Sequence, residues 1–200
     1  MVINVQKICV ATSNQGKLRE YKTMMEPLGI TATYPAEMGI EMNVEETGAT
    51  FFENACIKAH AYAKKTSLPI LADDSGLMVS ILNGAPGIKS KRLTPGGDDD
   101  ENNHELLRLL EDETNRKAHF HCSLVYLDEK NDIYHFVGRL DGTIAEVPHG
   151  KHGFGYDPLF IVSGTNKTLA DMNTEEKNEH THRFHALRQW QVFMGWKACR

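Results

Sequence analysis

The feature that most constrains the fold is a pair of adjacent aspartates inside an apolar run. Residues 68–80 read LPILADDSGLMVS, so Asp73 and Asp74 interrupt a stretch with the composition of a buried strand. A buried carboxylate is costly unless a partner offsets its charge. We therefore predict two strand segments separated by an acidic break. Adjacent strand residues point to opposite faces, so the two carboxylates are not expected to act as one bidentate ligand.

Composition narrows the class of protein. The chain has 200 residues, 40% of them hydrophobic, which suits one compact domain over residues 1–200 with no separable linker. A formal net charge of -5 argues against a protein that coats nucleic acid or an anionic membrane. The four cysteines are widely spaced, the N-terminal segment has no signal-like apolar region, and no apolar run approaches ~20 residues. We expect a cytoplasmic protein with reduced thiols and no membrane or nucleic-acid partner.

Periodicity along the chain predicts alternating strands and helices, and hence an α/β protein with a sheet covered by helices. A helix after the strand KICVAT is closed by Pro27 and Gly29, and a second helix starts at a capping box of Thr50 and Glu53. Residues 89–103 are predicted as a loop, with the acidic run DDDE at 98–101 in solvent. Strands are predicted around 118–127, 133–140 and 159–162, and Leu187, Trp190 and Met194 form the buried face of the last helix.

The segment ATSNQGKL at 11–18 places a glycine-containing turn and a lysine between a strand and a helix. Backbone N–H groups and an ammonium in this layout can hold phosphates. The segment is not a P-loop, because Ala11 and Leu18 stand where that motif needs glycine and Ser or Thr. An ordinary strand-to-helix turn, with Asn14 or Ser13 as the helix cap, explains the segment equally well.

Two acidic elements could supply oxygen ligands to a hard cation such as Mg²⁺. They are EETG at 45–48 and ADDSG at 72–76. Each acidic pair, taken alone, is more typical of a solvated turn. Basic residues spread over several segments would suit a polyphosphate pocket and would equally suit scattered surface charge; they are Lys17, Lys58, Arg92, Lys177 and Arg183.

Six segments taken together closely resemble the family of inosine triphosphate pyrophosphatases, also called XTP/dITP diphosphatases. In order they are TSNQGK, TFFENACIKA, LADDSGL, GAPGIKSKR, GFGYDPLF and EKNEHTHR, and the resemblance runs from about Lys7 to the final helix. It implies a homodimeric, Mg²⁺-dependent enzyme that hydrolyses XTP, ITP and dITP to the monophosphate and pyrophosphate. The implied fold is an elongated mixed β-sheet flanked by helices, with two lobes around a central substrate cleft.

The resemblance also implies roles for individual residues. Asp74 would be the catalytic base and a metal ligand, and the pair Glu45 and Glu46 would be the other metal element, with Glu46 favoured. Asp73 would support a turn or the residues behind the site. The implied substrate-binding residues are Thr12, Ser13, Asn14, Gln15, Gly16, Lys17, Lys58, Ser75, Phe154, Gly155, Tyr156, Asp157, Lys177, His182 and Arg183.

Three residues depart from the family pattern: Ser13 where glycine is common, Lys89 where an aromatic residue is common, and Thr181 where serine is usual. Lys89 is the largest change, because it adds charge beside the expected cleft. Two rival hypotheses remain, a nucleotide-binding module without turnover and a glycosidase that uses paired carboxylates. Retention of Asp74 with the Glu45/Glu46 pair disfavours the first, and the phosphate-type turn disfavours the second.

Overall fold

The computed structural model of the protein describes residues 6–195, apart from the side chain of Asn178. Within these residues the strands are β1 (Lys7–Val10), β2 (Thr31–Thr33), β3 (Ile70–Val79), β4 (Lys117–Leu127), β5 (Ile133–Ile144) and β6 (Phe160–Val162). The α-helices are α1 (Gln15–Met25), α2 (Phe51–Ala63), α3 (Asp99–Leu109), α4 (Thr174–His180) and α5 (His182–Phe193). Short 3₁₀ helices occupy Glu26–Leu28, Pro35–Met38, Ser80–Leu82 and Gly87–Arg92.

The strands form one mixed sheet in the order β2-β1-β3-β4-β5-β6. Strand β1 is parallel to both neighbours, with Cys9 opposite Thr33 on β2 and Ile70 on β3. Strand β6 is antiparallel to β5, with Thr143 opposite Ile161. Parallel pairing at one side and antiparallel pairing at the other confirm the predicted mixed α/β sheet.

The chain divides into two compact units. The first combines the chain up to Asp74 with Cys122–Gly138 and the segment from Arg183 onward, and the second combines Ser75–His121 with Arg139–His182. The predicted single domain and the predicted cleft between two lobes stay predictions.

The first unit carries helices on both faces of its strands. On one face, Ile8, Val10 and Leu71 pack with apolar residues of α1 and α5 that include Tyr21 and Trp190. On the other face, Cys9, Ala11, Ile70 and Ala72 pack with Ala55, Ala59 and Tyr62 of α2. Residues alternate between these two cores along β1 and β3, as the two-residue period of a strand requires. The predicted buried face of the last helix, Leu187, Trp190 and Met194, is confirmed.

The second unit has its own core. Leu77 and Val79 of β3, Leu106 of α3 and Phe160 of β6 are buried in it, together with Tyr156. Arg116 fastens the edge of this core, because its guanidinium donates to the carbonyl oxygens of Leu110, Ile144 and Ala145 at 2.7–3.0 Å.

Two predictions about local structure are wrong. The apolar run at 68–80 is not broken at the aspartates, because β3 runs continuously through them and Asp74 lies in mid-strand. Helix α3 begins at Asp99 inside the predicted loop. Asp98 caps this helix by accepting from the N–H groups of Asp100 and Glu101, and acidic side chains in the first turn are favoured by the helix dipole. The run DDDE therefore starts a helix.

Residues 6–195 contain no helix long and apolar enough to cross a membrane. Cys9, Cys56 and Cys122 are free thiols, and Cys199 lies outside the described residues.

Candidate functional site

The two aspartates of β3 contact different helices of the first unit. Asp73 contacts residues of α1 and α5, whereas Asp74 contacts residues of α2. Both side chains are buried, with 2% and 6% of their residue surface exposed. The strand period explains the separation, since Leu71 and Asp73 share one face of β3 and Ala72 and Asp74 share the other.

Asp73 lies in a buried ion-pair network. Its Oδ2 atom is 2.8 Å from Lys17 Nζ and 3.6 Å from Arg183 Nε, and Arg183 in turn donates to Glu20 Oε2 at 2.8 Å. Burial disfavours the charged form of Asp73, but the positive charges of Lys17, Arg183 and Lys58 outweigh burial, so the pKa of Asp73 lies below its ordinary value. Asp73 is thus an anionic anchor for two cations.

Asp74 lies in a different arrangement. Its Oδ2 atom accepts a hydrogen bond from Asn54 Nδ2 at 3.1 Å, and its Oδ1 atom is 3.7 Å from Lys58 Nζ. Lys58 Nζ also binds Glu46 Oε1 at 2.7 Å, so one ammonium lies between two carboxylates. Burial, with a smaller contribution from Glu46, raises the pKa of Asp74 above its ordinary value even though Lys58 and Lys17 oppose this shift.

The charge of Lys58 is stabilised by its surroundings. Burial alone would lower the pKa of Lys58, but the negative charges of Asp74, Asp73 and Glu46 together raise it. The ammonium is therefore a positive charge held beside Asp74. Lys58 as a residue is 9% exposed and is one of the buried residues of α2.

Glu46 and Glu45 differ in position. Glu46 is half-buried and binds Lys58, whereas Glu45 is exposed. The segment that carries them is seated on α2, because Gly48 N–H donates to Asn54 Oδ1 at 2.7 Å and Ala49 N–H donates to Glu53 Oε2. Of the two glutamates, Glu46 is therefore the one that contacts the ammonium beside Asp74.

The turn at 12–17 has the geometry of an ordinary helix cap. Asn14 Oδ1 accepts from the N–H groups of Gly16 and Lys17 at 2.9 and 3.1 Å, and Thr12 Oγ1 accepts from Asn14 N–H at 3.2 Å. Ser13 and Gln15 are exposed. Of this segment, Lys17 reaches Asp73, while Asn14 and Thr12 hold the turn.

In the second unit, Asp157 organises the loop from Gly153 to Asp157. Its Oδ2 atom accepts from Lys177 Nζ at 2.7 Å and from Phe154 N–H at 2.8 Å. Lys177 Nζ also lies 4.9 Å from the centroid of the half-buried Phe154 ring. Gly153 has φ +85°, and a Cβ there would collide with Asp157 Oδ2, so the loop needs glycine at this position.

Neighbouring residues fix the rest of this loop. Gly155 N–H donates to Asp99 Oδ2 at 2.8 Å, and Asn103 Nδ2 donates to the Gly155 carbonyl at 3.0 Å. Tyr156 is 4% exposed, belongs to the core, and donates its hydroxyl to the Ser90 carbonyl at 2.8 Å. Tyr156 therefore supports the loop from the core. Of the two aromatic residues in this loop, Phe154 is the one whose ring is not enclosed in the core.

Two further predicted residues of the second unit have definite places. His182 is 3% exposed and stacks on Phe120, with ring centroids 4.7 Å apart and planes 8° from parallel. Ser75 follows Asp74 on β3 and is half-buried.

Several residues of the site were missed by sequence reasoning. Asn54 lies four residues before the predicted Lys58, on the same helical stripe, but the stripe alone does not reveal the aspartate that both residues contact. For Glu20 the sequence signal is weaker. Glu20 is a carboxylate spaced four residues from Gly16 and from Met24, and both of these residues of α1 are buried. The sequence pattern predicts a solvated loop at Asp99 and does not indicate its contact with Gly155.

The oxygen atoms of Glu46 and Asp74 suit a hard divalent cation. Both carboxylates approach the Lys58 ammonium, so they already converge on a positive charge in this structure. Carboxylate oxygens are the ligands that Mg²⁺ prefers. Among the described residues, no group of three or more His, Cys, Asp or Glu side chains is arranged as a metal cluster. Two protein carboxylates are consistent with Mg²⁺, which commonly keeps waters and substrate phosphates as its other ligands.

Comparison with known proteins identifies the relatives of this chain. Residues 8–193 match the model of the Ham1 family. The chain is 45% identical over 190 residues to the dITP/XTP pyrophosphatase of Escherichia coli O157:H7, covering 92% of this chain and 95% of the relative. It is 44% identical over 193 residues to the dITP/XTP pyrophosphatase of Aquifex aeolicus, covering 92% and 94%.

Solved structures give the same result. A HAM1 protein from Coxiella burnetii matches with a TM-score of 0.85 and 39% identity, covering 96% of this chain and 100% of that one. The Staphylococcus aureus Ham1 protein matches with a TM-score of 0.83 and 37% identity, covering 94% and 98%. The similarity in sequence and in fold therefore extends over nearly the whole length of this chain and of each relative. The chain belongs to the Ham1 family.

Proposed function

We propose that the protein is a dITP/XTP pyrophosphatase, which hydrolyses deaminated purine nucleoside triphosphates to the monophosphate and pyrophosphate. Relatives about 45% identical over most of their length carry this name. The observation that carries the proposal within the structure is the Lys58 ammonium held between Glu46 and Asp74. A buried cation beside a carboxylate of raised pKa is suited to neutralising phosphate charge while a water is activated.

In the proposed reaction Asp74 orients the attacking water and accepts its proton at a carboxylate oxygen. The raised pKa of Asp74 favours this role over Asp73, whose lowered pKa makes it a poor base. Lys58 stabilises negative charge on the phosphoryl oxygens, and Lys17 contributes a second ammonium in the same unit. Phosphoryl transfer needs little covalent help from the protein, so positioning and charge account for most of the catalysis.

We propose Mg²⁺ as the cofactor, held by Glu46 and Asp74, with Glu45 as the less favoured neighbour. When bound, the ion would supply positive charge that neutralises the phosphate oxygens and makes the phosphorus more electrophilic. Lys58 would then share its two carboxylate partners with the ion, and its ammonium would be freed in part to contact phosphate.

Recognition of the base is proposed for the loop Gly153–Asp157 with Lys177 and His182. Phe154 is proposed to stack on the purine, because Tyr156 is enclosed in the core and bound to Ser90. Hypoxanthine and xanthine carry a 6-oxo acceptor where adenine carries a 6-amino donor, so donors at that edge would reject ATP. The resemblance names Arg183 among the substrate-binding residues, but it is poorly suited to supply that donor, since its guanidinium binds Glu20 and lies near Asp73.

A homodimer and a cytoplasmic location are parts of this proposal that rest on the resemblance and on the free thiols. Ser13, Gln15 and Ser75 are retained as proposed substrate contacts, on the resemblance alone.

The rival is a nucleotide-binding module without turnover. A panel of dITP, XTP, ITP, ATP and GTP with Mg²⁺, followed by separate assays for pyrophosphate and phosphate, distinguishes the two. We expect pyrophosphate from the first three and a kcat/KM preference for dITP over ATP of about 10⁴-fold. Binding of dITP without product would favour the module, and equal hydrolysis of ATP would contradict the proposed substrate class.

A further inference from the structure

Asn54 occupies a position between the two acidic elements of the first unit. The residue is 0% exposed and lies on α2, one helical turn before Lys58. Its Nδ2 atom donates to Asp74 Oδ2 at 3.1 Å, and its Oδ1 atom accepts from Gly48 N–H at 2.7 Å. One side chain thus connects the strand that carries Asp74 with the segment that carries Glu46.

The chemistry of an amide makes this connection directional. A backbone N–H can only donate, so the amide oxygen of Asn54 has to face Gly48, and its amino group is thereby directed at Asp74. Aspartate at this position would keep the oxygen but lose the donor. An aliphatic residue would lose both and leave buried polar groups without these partners.

The close approach of the Glu46 segment to α2 is also visible in Gly48. A Cβ built on Gly48 would lie 2.7 Å from Asn54 Oδ1, 2.7 Å from Glu53 Cβ and 2.9 Å from Asn54 N. The segment is therefore pressed against the N-terminal turn of α2, where only glycine leaves room for the hydrogen bond to Asn54. The glycine and the amide form one unit that sets the path of the chain two residues after Glu46.

We propose that Asn54 is a positioning residue that orients Asp74 and the Glu46 segment toward the same point, the position of the Lys58 ammonium. The proposal deepens the proposed function and rests on it, because it assigns Asn54 to the carboxylates that would hold Mg²⁺. Asn54 acts through Asp74 and Gly48. It determines which oxygen of Asp74 is held by an amide and which faces the cation.

The chain offers a matched control for this inference. Asn102 on α3 is another buried helical amide, 2% exposed, that accepts from Thr94 N–H at 2.8 Å and donates to the Lys91 carbonyl at 3.3 Å. Asn54→Ala and Asn102→Ala each remove a buried amide with one backbone N–H partner. Their thermal stabilities, their kcat and KM for dITP, and their binding of Mn²⁺ alone by electron paramagnetic resonance are compared.

We expect both variants to lose stability, but only Asn54→Ala to lose function. In that variant kcat falls and Mn²⁺ binding weakens by about tenfold or more, the usual effect of removing a group that supports a metal ligand, with a smaller change in KM. The inference is overturned if Asn54→Ala matches Asn102→Ala in both kcat and Mn²⁺ affinity. Absence of dITP hydrolysis by the wild type would defeat the proposed function, while the Mn²⁺ comparison would still decide the role of Asn54.

Asn54→Asp separates the two hydrogen bonds and serves in place of the alanine variant if that one does not fold. It keeps the acceptor for Gly48 N–H and places a second carboxylate against Asp74. We expect kcat to fall at least as far as in Asn54→Ala, with Asn102→Asp as its control. Wild-type kcat in Asn54→Asp would overturn the claim that Asn54 orients Asp74.

Discussion

Asp73 and Asp74 are adjacent in sequence and both are buried, but their surroundings shift their pKa values in opposite directions. The pKa of Asp73 is lowered, because Lys17 and Arg183 more than compensate for its burial. The pKa of Asp74 is raised, because its neutral partner Asn54 and the more distant Lys58 compensate less, and Glu46 adds a second negative charge. One step along a strand changes the face, and the face decides which helix supplies the partners.

This difference separates stability from catalysis at adjacent positions. The carboxylate of Asp73, which is paired with two cations, holds two helices to a strand. Its negative charge is neutralised by groups of the protein itself. A carboxylate held by an amide and flanked by another acid keeps capacity for a proton or a cation from outside. Substitutions on the two faces of β3 should therefore have effects of different kinds.

The largest effect is expected for Asp74→Asn. The amide cannot accept a proton and brings no negative charge, so kcat for dITP should fall by about 10²- to 10⁴-fold, the usual contribution of a general base. Stability should change little, because burial already disfavours the charged form of this side chain. Steady-state kinetics and thermal unfolding test both parts, and a variant with wild-type kcat would remove Asp74 from the mechanism.

The next effect is expected for Asp73→Asn, on stability. Lys17 and Arg183 would be left buried beside a neutral group, and breaking a buried ion pair from one side costs about 3–5 kcal/mol. Urea unfolding measures this loss. The inferred difference between the two aspartates would be contradicted if Asp73→Asn lowered kcat as far as Asp74→Asn did and left the unfolding midpoint unchanged.

A smaller effect is expected for Lys58→Ala on the Asp74 face. The ammonium is proposed to contact the polyphosphate, so affinity for dITP should weaken by about 10- to 100-fold, the value of one or two charged hydrogen bonds. The inhibition constant of the monophosphate product should change much less. An equal loss for both nucleotides would place Lys58 away from the polyphosphate.

The smallest effect is expected for Tyr21→Phe on the Asp73 face. The Tyr21 hydroxyl is buried and has no hydrogen-bond partner among the described residues, and burial raises the pKa of Tyr21 well above its usual range. Removing it should leave stability unchanged or improve it by about 1 kcal/mol, with kcat unaffected. A marked loss of stability would show that the hydroxyl has a function in the network around Asp73.

The sequence predicted the elements best where the pattern is local. One half of the predicted capping box of α2 is confirmed, because Thr50 Oγ1 accepts from Glu53 N–H at 3.1 Å, whereas Glu53 Oε2 accepts from Ala49 N–H. The end of α1 and the buried face of α5 follow the predicted residues as well. The predictions are wrong at β3 and at Asp98–Glu101, since in both places polarity alone predicts a break or a loop. The charges of Asp73 and Asp74 are offset by cations and an amide that come from elsewhere in the fold. The charge of Asp98 is offset by N–H groups of the helix that it caps.

The sequence by itself determined the fold class, the family and the presence of two adjacent aspartates in an apolar run, because these depend on periodicity and on motifs that are contiguous in the chain. Only the tertiary structure decided how the aspartates differ. Asp73 meets Glu20 through Arg183, which is 163 residues from Glu20, and Asp74 meets Asn54 at a separation of 20 residues. Such pairings depend on which helix packs on which face of the strand. They also set the direction of each pKa shift, because burial and neighbouring charge exist only once the chain has folded.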